Sequence, residues 1–542
     1  MLKRPKLRFA LCFALAMVVV VGGTLFWPVG SGTVASEAKA PELGDGPWLN
    51  TPRALRFDGD LAGRVTVLWF WRGGSINCIH AAEDVRRLAA EFAGEPVAII
   101  GVHAAKFPGE GTVEAVAAAA ERLGLEVPIV LDEGFSLGSA YGVEAWPHYV
   151  LVGADGKVVG AAMGEGQFER LEFHIREALE AGAEEGLLAT GAMEVSASPR
   201  EREGVLRFPS SVLAVGPRGE APGRLFISDS GNGRVIEAAY PDAAGVSAVV
   251  RTLATGLHDP RGLALDAERN VLYVAERGGH RILRIDVESG EVGVLVGSGE
   301  QGHDREGGKA GEAQRLNSPV GLAVSADGEW LYVAMAGKHQ VWRVETKTGT
   351  AAAFAGMGRE NSVDGAGRGA TFAQPWGLAF SEDGSTLYVA DAESSSVREV
   401  DVATGEVRTI VGHSVRGVWE NGLFEFGHVD GAFPEARLQH PRGLALIPAG
   451  AMGSAAERLL VADAFNHVIR RVDPAARTIE RWIDKDLWLP GEVSEESLFA
   501  EPSDVCFVPA DGRVFLADTN RHRIVLVEPD GTQKDVALME HR

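Results

Sequence analysis

The sequence predicts a multidomain protein in which an N-terminal transmembrane or signal segment precedes an α/β domain and an all-β region built from repeats. Three observations support this fold class. A chain of 542 residues is too long for one hydrophobic core. Strand and helix patterns alternate between residues 56 and 185. One short pattern then recurs six times between residues 206 and 532.

The first 35 residues have the features of a membrane anchor or a signal peptide. Four basic residues between Lys3 and Arg8 precede Phe9–Trp27, an apolar run of 19 residues without a charge. Such a run is long enough to cross a bilayer. An acceptable cleavage site ends at Ala35, so a retained anchor and a cleaved signal both stay open. The basic flank predicts an inside N-terminus. The rest of the chain is then either anchored at the inner membrane and facing the periplasm, or exported.

The net charge limits the classes of binding partner, and the positions of the cysteines limit the role of disulfides in stabilising the fold. The formal net charge of −23 argues against nucleic acid or an anionic membrane surface as the partner. Cys12 lies in the apolar run, whereas Cys78 and Cys506 fall in different predicted domains. We therefore expect no structural disulfide, and we expect Cys506 to be a packing residue.

The segment from residue 56 to residue 185 alternates strands and helices. Apolar runs predict strands at 65–70, 97–103, 127–131, 149–153 and 158–163, and helical periodicity predicts helices at 76–92, 113–123 and 167–183. This order predicts a mixed sheet with helices on both faces. Residues 36–55 are mixed in composition and contain prolines, so we expect a linker there and a second linker at 186–205.

Ser75 and Cys78 stand where the first strand of this domain meets its first helix. The pattern places Cys78 in the first helical turn, close to backbone N–H groups that have no partner inside the helix. These groups and the positive end of the helix dipole favour a thiolate. Position alone therefore predicts a lowered pKa for the Cys78 thiol.

This region resembles the TlpA-type thioredoxins. The strand Val67–Trp71 followed by Ser75-x-x-Cys78 is similar to that family's active-site strand and C-x-x-C motif, with Ser75 at the position of the attacking cysteine. Trp146-Pro147, directly before another strand, is similar to the segment that carries the family's cis-proline. The resemblance implies a thioredoxin-like fold for residues 56–185. It also implies a cis peptide bond at Pro147, with Trp146 flanking the motif.

A second pattern recurs through the C-terminal half of the chain. A Pro-x-Gly-Leu-Ala segment is followed by Leu-Tyr-Val-Ala and an acidic residue, and its six copies begin at Pro209, Pro260, Pro319, Pro375, Pro441 and Pro502, the first and last being weaker. The acidic residues are Asp229, Glu276, Asp391, Asp463 and Asp518, and Met335 breaks the pattern in the third copy. Their position predicts hairpin turns in which the carboxylate accepts backbone N–H bonds.

The six copies resemble NHL repeats, and that resemblance implies an all-β, six-bladed NHL-type propeller at 206–532 with a C-terminal tail at 533–542. The order of the domains resembles the thioredoxin–NHL two-domain family. Ile76–His80 and Gly101–Phe107 are similar to that family's motif and following strand. The departure is at Ser75, where relatives usually have a cysteine.

Ser75 limits the redox chemistry that this chain can perform. Thiol–disulfide exchange needs one thiolate to attack and a second thiol to resolve the mixed disulfide. A serine hydroxyl cannot attack a disulfide. Three interpretations of Cys78 stay open: a buried inert thiol, a monothiol that forms mixed disulfides with a partner, and a sensor that uses an external resolving thiol.

His80 and His103 flank the same region. Together with Cys78 they form a weak candidate metal set, because their spacing matches no known zinc pattern. We therefore assign no metal and no cofactor. The leading functional hypothesis is an extracytoplasmic scaffold whose propeller face binds protein partners and whose redox motif is degenerate. The alternative is a thiol–disulfide oxidoreductase or monothiol protein that acts through Cys78 on partners bound by the propeller. A propeller hydrolase is a third hypothesis, and the sequence places no catalytic cluster for it. The sequence leaves the oligomeric state open.

Overall fold

A mixed six-stranded sheet organises the N-terminal domain in the computed structural model, which describes residues 38–191, 193, 195–196, 204–219, 222–412, 424–483 and 499–539. Its strands are β1 (Trp48–Leu49), β2 (Val65–Trp71), β3 (Val97–His103), β4 (Ile129–Leu131), β5 (His148–Val152) and β6 (Val158–Met163). Its helices are α1 (Ile76–Glu91), α2 (Val113–Arg122), α3 (Ser136–Ala140) and α4 (Phe168–Glu184). The strand order is β1-β4-β3-β2-β5-β6.

Strand β2 is the centre of this sheet, and all seven of its residues are buried. It pairs in parallel with β3 and antiparallel with β5. Its side chains alternate between two cores because successive residues of a strand point to opposite faces. Trp69 and Trp71 pack with α1, α2 and α4 on one face, and Leu68 and Phe70 pack with α3 on the other. The predicted sheet with helices on both faces is confirmed.

The structure places residues 38–55 inside this domain, although the sequence analysis assigned 36–55 to a linker. Ala40, Leu43 and Leu55 are buried in the α3-side core, and β1 pairs with β4 at the sheet edge. Part of the second predicted linker packs here too, since the Ala189 N–H donates to the Gly63 carbonyl. Prolines and mixed composition concealed a two-residue strand that tertiary pairing stabilises.

Six β-sheets follow, one for each sequence repeat. The first three blades contain β7 (Pro209–Val215), β8 (Arg224–Asp229), β9 (Arg234–Ala239) and β10 (Val246–Ala254); β11 (Pro260–Asp266), β12 (Val271–Glu276), β13 (Arg281–Asp286) and β14 (Val292–Val296); and β15 (Gly307–Ala310), β16 (Pro319–Val324), β17 (Trp330–Met335), β18 (Gln340–Glu345) and β19 (Thr350–Ala355).

The last three blades continue the pattern. They contain β20 (Pro375–Phe380), β21 (Thr386–Asp391), β22 (Ser396–Asp401) and β23 (Val407–Gly412); β24 (Gly431–Ala432), β25 (Pro441–Ile447), β26 (Arg458–Asp463), β27 (Val468–Asp473) and β28 (Thr478–Arg481); and β29 (Pro502–Phe507), β30 (Val514–Asp518), β31 (Arg523–Val527) and β32 (Gln533–Asp535). The inner strands β7, β11, β16, β20, β25 and β29 contact one another in a closed ring, which makes a six-bladed propeller.

The glycine of the repeat lies where neighbouring inner strands approach most closely. A Cβ atom on Gly321 would lie 2.0 Å from the Trp376 carbonyl oxygen of the next blade, and one on Gly377 would lie 2.1 Å from that of Arg442. The weaker first and last copies have Ser211 and Asp504 at the glycine position. There the Ser211 hydroxyl donates to the Asp504 carboxylate at 2.5 Å.

The turn acids accept backbone N–H bonds as predicted, but the donor lies before the inner strand of the same blade and not across the acid's own turn. Asp463 is an example: one carboxylate oxygen accepts the Gln439 N–H at 2.7 Å and the other accepts from Arg470 at 2.9 Å. In the third blade the Met335 sulfur occupies the acceptor position, 3.4 Å from the Asn317 nitrogen. These bonds tie each outer hairpin to the start of its own inner strand.

The structure also places the predicted C-terminal tail in the sheets. β32 pairs with β31 in the sixth blade. The last strand, β33 (Ala537–Met539), pairs in parallel with β10 of the first blade. The end of the chain therefore connects the last blade to the first.

None of the helices in the described ranges is both long and apolar enough to cross a bilayer. The predicted segment Phe9–Trp27 lies outside the residues that the structure describes.

Candidate functional site at the domain interface

Ser75 begins helix α1. It has an extended backbone, and its hydroxyl accepts the Cys78 N–H at 3.4 Å, which is the hydrogen bond of a helix N-cap. Serine is among the preferred residues at this position. Ser75 therefore stabilises the start of α1 at the point where a thioredoxin carries its attacking thiol.

Cys78 is completely buried, with 0% of its surface exposed. Burial raises the pKa of its thiol to about 12, and this effect outweighs the stabilisation of a thiolate by the Arg72 backbone, the Ser75 hydroxyl and the Arg72 charge. The lowered pKa expected from position alone is therefore wrong. The helix N-terminus favours a thiolate, but removing the sulfur from water disfavours it more strongly.

The propeller covers the loop that leads into the motif. Gln374 accepts the Ile76 N–H at 2.9 Å and donates to the Gly74 carbonyl at 2.8 Å. A Cβ atom on Gly74 would lie 2.9 Å from the Phe465 ring. Ser75 is only 9% exposed as a result. The surface through which a thioredoxin meets its substrate is here a contact between two domains of one chain.

A group of buried charges surrounds this contact. Arg72 donates to Glu393 through two nitrogens, at 3.0 and 2.8 Å, and to Glu110 at 3.0 Å. Lys106 donates to the same Glu393 carboxylate at 2.9 Å. Burial alone would raise the pKa of Glu393, but Arg72 and Lys106 lower it well below its usual range. Glu393 is therefore ionised at neutral pH.

Phe107 provides the apolar centre of the interface. It lies in the loop after β3, and its ring contacts those of Phe426, His440 and Phe465, all from the propeller. Beside it, a Cβ atom on Gly109 would lie 1.8 Å from the Phe465 carbonyl oxygen. Only a glycine allows the two backbones to approach this closely.

The two candidate histidines have separate partners. His80 contacts the propeller through Ser318, whose hydroxyl is 2.6 Å from its Nε2, and pairs with Glu165 through its Nδ1. His103 packs edge-on against Trp71, and burial lowers its pKa to about 4. In the described part of the chain, no group of three or more His, Cys, Asp or Glu residues could hold a metal ion.

Trp146 and Pro147 lie beside the motif. The Trp146–Pro147 peptide bond is cis. The Trp146 ring contacts Phe135, and the Arg72 guanidinium carbon lies 5.9 Å from its centroid. Trp69 and Trp71 are fully buried in the core, so they are not part of an exposed binding surface.

The residues before the repeat prolines contribute to the propeller's side of the interface, and the sequence analysis missed this role. All six have positive φ angles and lie at the same end of the inner strands: Phe208, Asp259, Ser318, Gln374, His440 and Glu501. His440 Nε2 donates to the Gly74 carbonyl at 3.2 Å, because its Nδ1 accepts from Arg442. Glu501 binds Arg122 of α2 through both oxygens, at 3.0 and 3.1 Å. The available signal was a residue that varies between copies, and is polar in five of the six, directly before the proline of an otherwise repeated segment.

Known proteins share both domains and their order. The Redoxin family matches residues 38–172 and the NHL repeat matches residues 499–525. SUPPRESSOR OF QUENCHING 1, a chloroplastic protein of Arabidopsis thaliana, is 32% identical over 91% of this chain, which spans 47% of that protein's length. The human NHL repeat-containing protein 2 is 32% identical over 91% of this chain and 70% of its own length. Protein DipZ of Mycobacterium tuberculosis is 33% identical over 28% of this chain and 22% of its own length.

The relationship to NHL repeat-containing protein 2 extends through both domains. One alignment of 532 residues covers 91% of this chain, more than either domain contains alone. This chain therefore belongs to the family of NHL repeat-containing protein 2, in which a thioredoxin-like domain precedes an NHL propeller.

Proposed function

We propose that this protein is an interaction scaffold in which the thioredoxin-like domain is docked permanently on the propeller and performs no thiol–disulfide exchange. The burial of Cys78 behind Ser75 carries this proposal. Exchange needs an accessible thiolate and a second thiol. Here the thiol is inaccessible, its pKa is raised to about 12, and the neighbouring position has a hydroxyl.

The motif has a structural role in this proposal. Ser75 caps α1, and the adjacent Gly74 carbonyl and Ile76 N–H bind Gln374 of the propeller. The elements that would hold a substrate peptide in a redox enzyme instead hold the fourth blade. The thioredoxin-like domain then acts as a rigid extension of the propeller.

We place the partner site on the opposite face of the propeller. The inner strands line a central channel with a volume of about 340 Å³ and end at the mouth of this channel. Apolar side chains line this mouth, one from each blade: Leu213, Leu265, Val324, Phe380, Leu446 and Phe507. An apolar funnel on a rigid rim suits an apolar side chain of a partner protein. In-cell crosslinking with mass spectrometry would test this, since Leu446→Glu should remove crosslinks that the wild type forms at the mouth.

We also propose that the protein works outside the cytoplasm, anchored by Phe9–Trp27 or exported after cleavage near Ala35. The support is the basic flank followed by 19 uncharged residues. A phosphatase that is active only after export, fused after residue 36, should be active. Inactivity of that fusion in cells where a matched signal-peptide fusion is active would contradict this location.

Cys78 alkylation tests the scaffold proposal directly. The full chain with Cys12→Ala and Cys506→Ala leaves one thiol to follow across a pH series. We expect negligible labelling of the native protein at neutral pH and fast labelling after denaturation. Fast native labelling, with a midpoint below the free-thiol pKa of about 8.5, would overturn the scaffold proposal in favour of redox chemistry at Cys78.

A further inference from the structure

Four arginines meet where the thioredoxin-like domain covers the propeller channel. Arg122 comes from α2, and Arg261, Arg277 and Arg442 come from the propeller. We call these four residues the arginine cluster. Arg122 and Arg442 share Glu501, with nitrogen–oxygen distances of 3.0 and 2.8 Å. Arg261 and Arg277 share Asp259, the former at 2.8 Å.

The arginine cluster contains more positive charge than its partners neutralise. Two carboxylates serve four guanidinium groups, and arginine remains protonated in proteins. Burial and the repulsion of Arg261 lower the pKa of Arg277 to about 9, although Asp259 attracts it. Excess charge that is removed from water is costly unless another group compensates it.

One donor of the cluster has no acceptor in the described part of the chain. Arg261 is 7% exposed, and its Nε finds no hydrogen-bond acceptor among the residues that the structure describes. Buried polar groups are nearly always hydrogen-bonded. An unpartnered guanidinium N–H next to excess positive charge is the arrangement that an oxyanion would complete.

The arginine cluster adjoins a cavity between the two domains. The cavity has a volume of about 760 Å³, and Arg122, Arg261 and Arg277 line it. A smaller void of about 20 Å³ joins these three to Arg442 and Glu501. A space of this size is typical of small-molecule sites and is too small for a folded partner.

The acidic residues of the cavity do not offset this charge, because they have other partners. Glu83 pairs with Arg86, Glu121 pairs with Arg207, and Glu165 pairs with His80. Asp84 accepts the Gln167 N–H at 2.9 Å, and burial raises its pKa. The uncompensated charge is therefore confined to the end of the cavity that the arginine cluster forms. Polar groups without a charge line the space beside it, including Gln301 and Ser318.

We propose that this cavity binds a small organic molecule that carries an oxyanion group, a carboxylate or a phosphate. The oxyanion accepts from Arg261 and Arg277, and the body of the ligand occupies the space toward His80 and Gln301. Arginine forks match both kinds of oxyanion because each presents paired oxygens to parallel N–H donors. This site goes beyond the scaffold function and is independent of the redox state of Cys78.

Calorimetry and thermal unfolding of the full chain test the proposal. The probes are inorganic phosphate, glucose 6-phosphate and citrate, with glucose as the neutral control and sodium chloride at matched ionic strength. We expect saturable binding and a raised Tm with at least one oxyanion, and no effect of glucose. Preference for the phosphates or for citrate identifies which oxyanion the ligand carries.

Variants separate a ligand site from a structural cluster. Arg261→Gln and Arg277→Gln should weaken oxyanion binding by at least about tenfold, since each removes a charge-assisted hydrogen bond. They should leave the ligand-free Tm unchanged or raised, because each removes excess charge while Asp259 keeps one arginine. Arg269→Gln, at an exposed arginine outside the cavity, is the control and should bind as the wild type does.

Three results would overturn the proposal. These are no saturable response to any oxyanion at millimolar concentration, an equal response in Arg261→Gln and Arg269→Gln, and a lowered ligand-free Tm in both cluster variants with unchanged binding.

Phenylglyoxal modification of the wild type, mapped by mass spectrometry, gives a test that needs no variant. Oxyanions should protect Arg261 and Arg277, and lack of protection would contradict the site.

Discussion

The Arg72 guanidinium at the end of β2 and the Glu393 carboxylate in the turn after β21 form a two-point ion pair across the domain interface, with distances of 3.0 and 2.8 Å. Both side chains are 4% exposed. Lys106 adds a third contact to the same carboxylate. One acid of the fourth blade thus holds two cations of the thioredoxin-like domain.

We expect Glu393→Ala to destabilise the docked protein by about 3–5 kcal/mol, because it leaves Lys106 and part of Arg72 buried without a counter-charge. Denaturant unfolding measures this loss, and limited proteolysis between the domains should quicken. Glu399→Ala is the control, since Glu399 pairs with an exposed Arg408 and should cost at most about 1 kcal/mol. Equal losses in the two variants would show that Glu393 does not hold the domains together.

Much of the fold could be predicted because it depends on local patterns. The run Val65–Trp71 is apolar except for Thr66, as suits a central strand, and the glycine of the four strong repeats reflects a close backbone contact with the next blade. A contact that recurs from blade to blade requires the same residue type in successive repeats, so it is visible in the sequence. The predictions of a linker at 36–55 and of a C-terminal tail were wrong because these strands have no local pattern. β1 and β33 contain two and three residues, and only tertiary pairing stabilises them.

The environment of the candidate site could not be predicted in the same way. Ser75 and Cys78 are placed by local structure, and their position was clear from the sequence. Whether the loop before Cys78 meets water depends on Gln374, which is 298 residues from Ile76, and no pattern links the two positions. Cys78 itself is buried in the core of the thioredoxin-like domain. The pKa of the thiol followed the burial and not the helix N-terminus, so its direction was reversed.

Restoring the missing cysteine should not restore exchange. We expect Ser75→Cys to show no disulfide reductase activity in an insulin reduction assay, because Gln374 and Phe465 cover the loop that leads to that position. The double variant Ser75→Cys with Glu393→Ala should gain activity if it loosens the interface. Reduction by the single variant at the rate of a thioredoxin would mean that the propeller does not block substrates.

Acid should weaken the fold before the interface carboxylates titrate. Burial lowers the pKa of His103, His148 and His280 to about 4 and that of His440 to about 3, from an ordinary value of 6.5. As pH falls below 6.5 the unfolded chain binds these protons and the folded chain does not. The stability that these four histidines contribute is therefore fully present above pH 6.5. It is lost as the pH falls toward 4, at about 1.4 kcal/mol per pH unit for each histidine.

A variant of His148 measures the contribution of one of these histidines to the pH dependence of stability. Both of its ring nitrogens lack partners among the described residues, and its ring packs on Phe70. We expect His148→Phe to reduce the slope of unfolding free energy against pH by about one proton between pH 6 and 4.5. Val159→Thr, at an exposed position of β6, changes no titratable group, so it is the control and should keep the wild-type slope. An unchanged slope in His148→Phe would show that His148 is protonated in the folded state.

The last strand closes the propeller, and its removal should therefore act on the first blade as well as on the sixth. β33 pairs with β10, the Ala537 N–H donates to the Gly245 carbonyl at 2.9 Å, and Val536 is buried between the two blades. Deleting residues 533–542 should cost at least about 3 kcal/mol from lost burial and hydrogen bonds. Hydrogen exchange should quicken in β10 and β31 together. A strand that closes the ring must stabilise both of the blades it joins. Faster exchange in β31 alone would therefore mean that the first blade is stable without β33 and that this strand does not close the propeller.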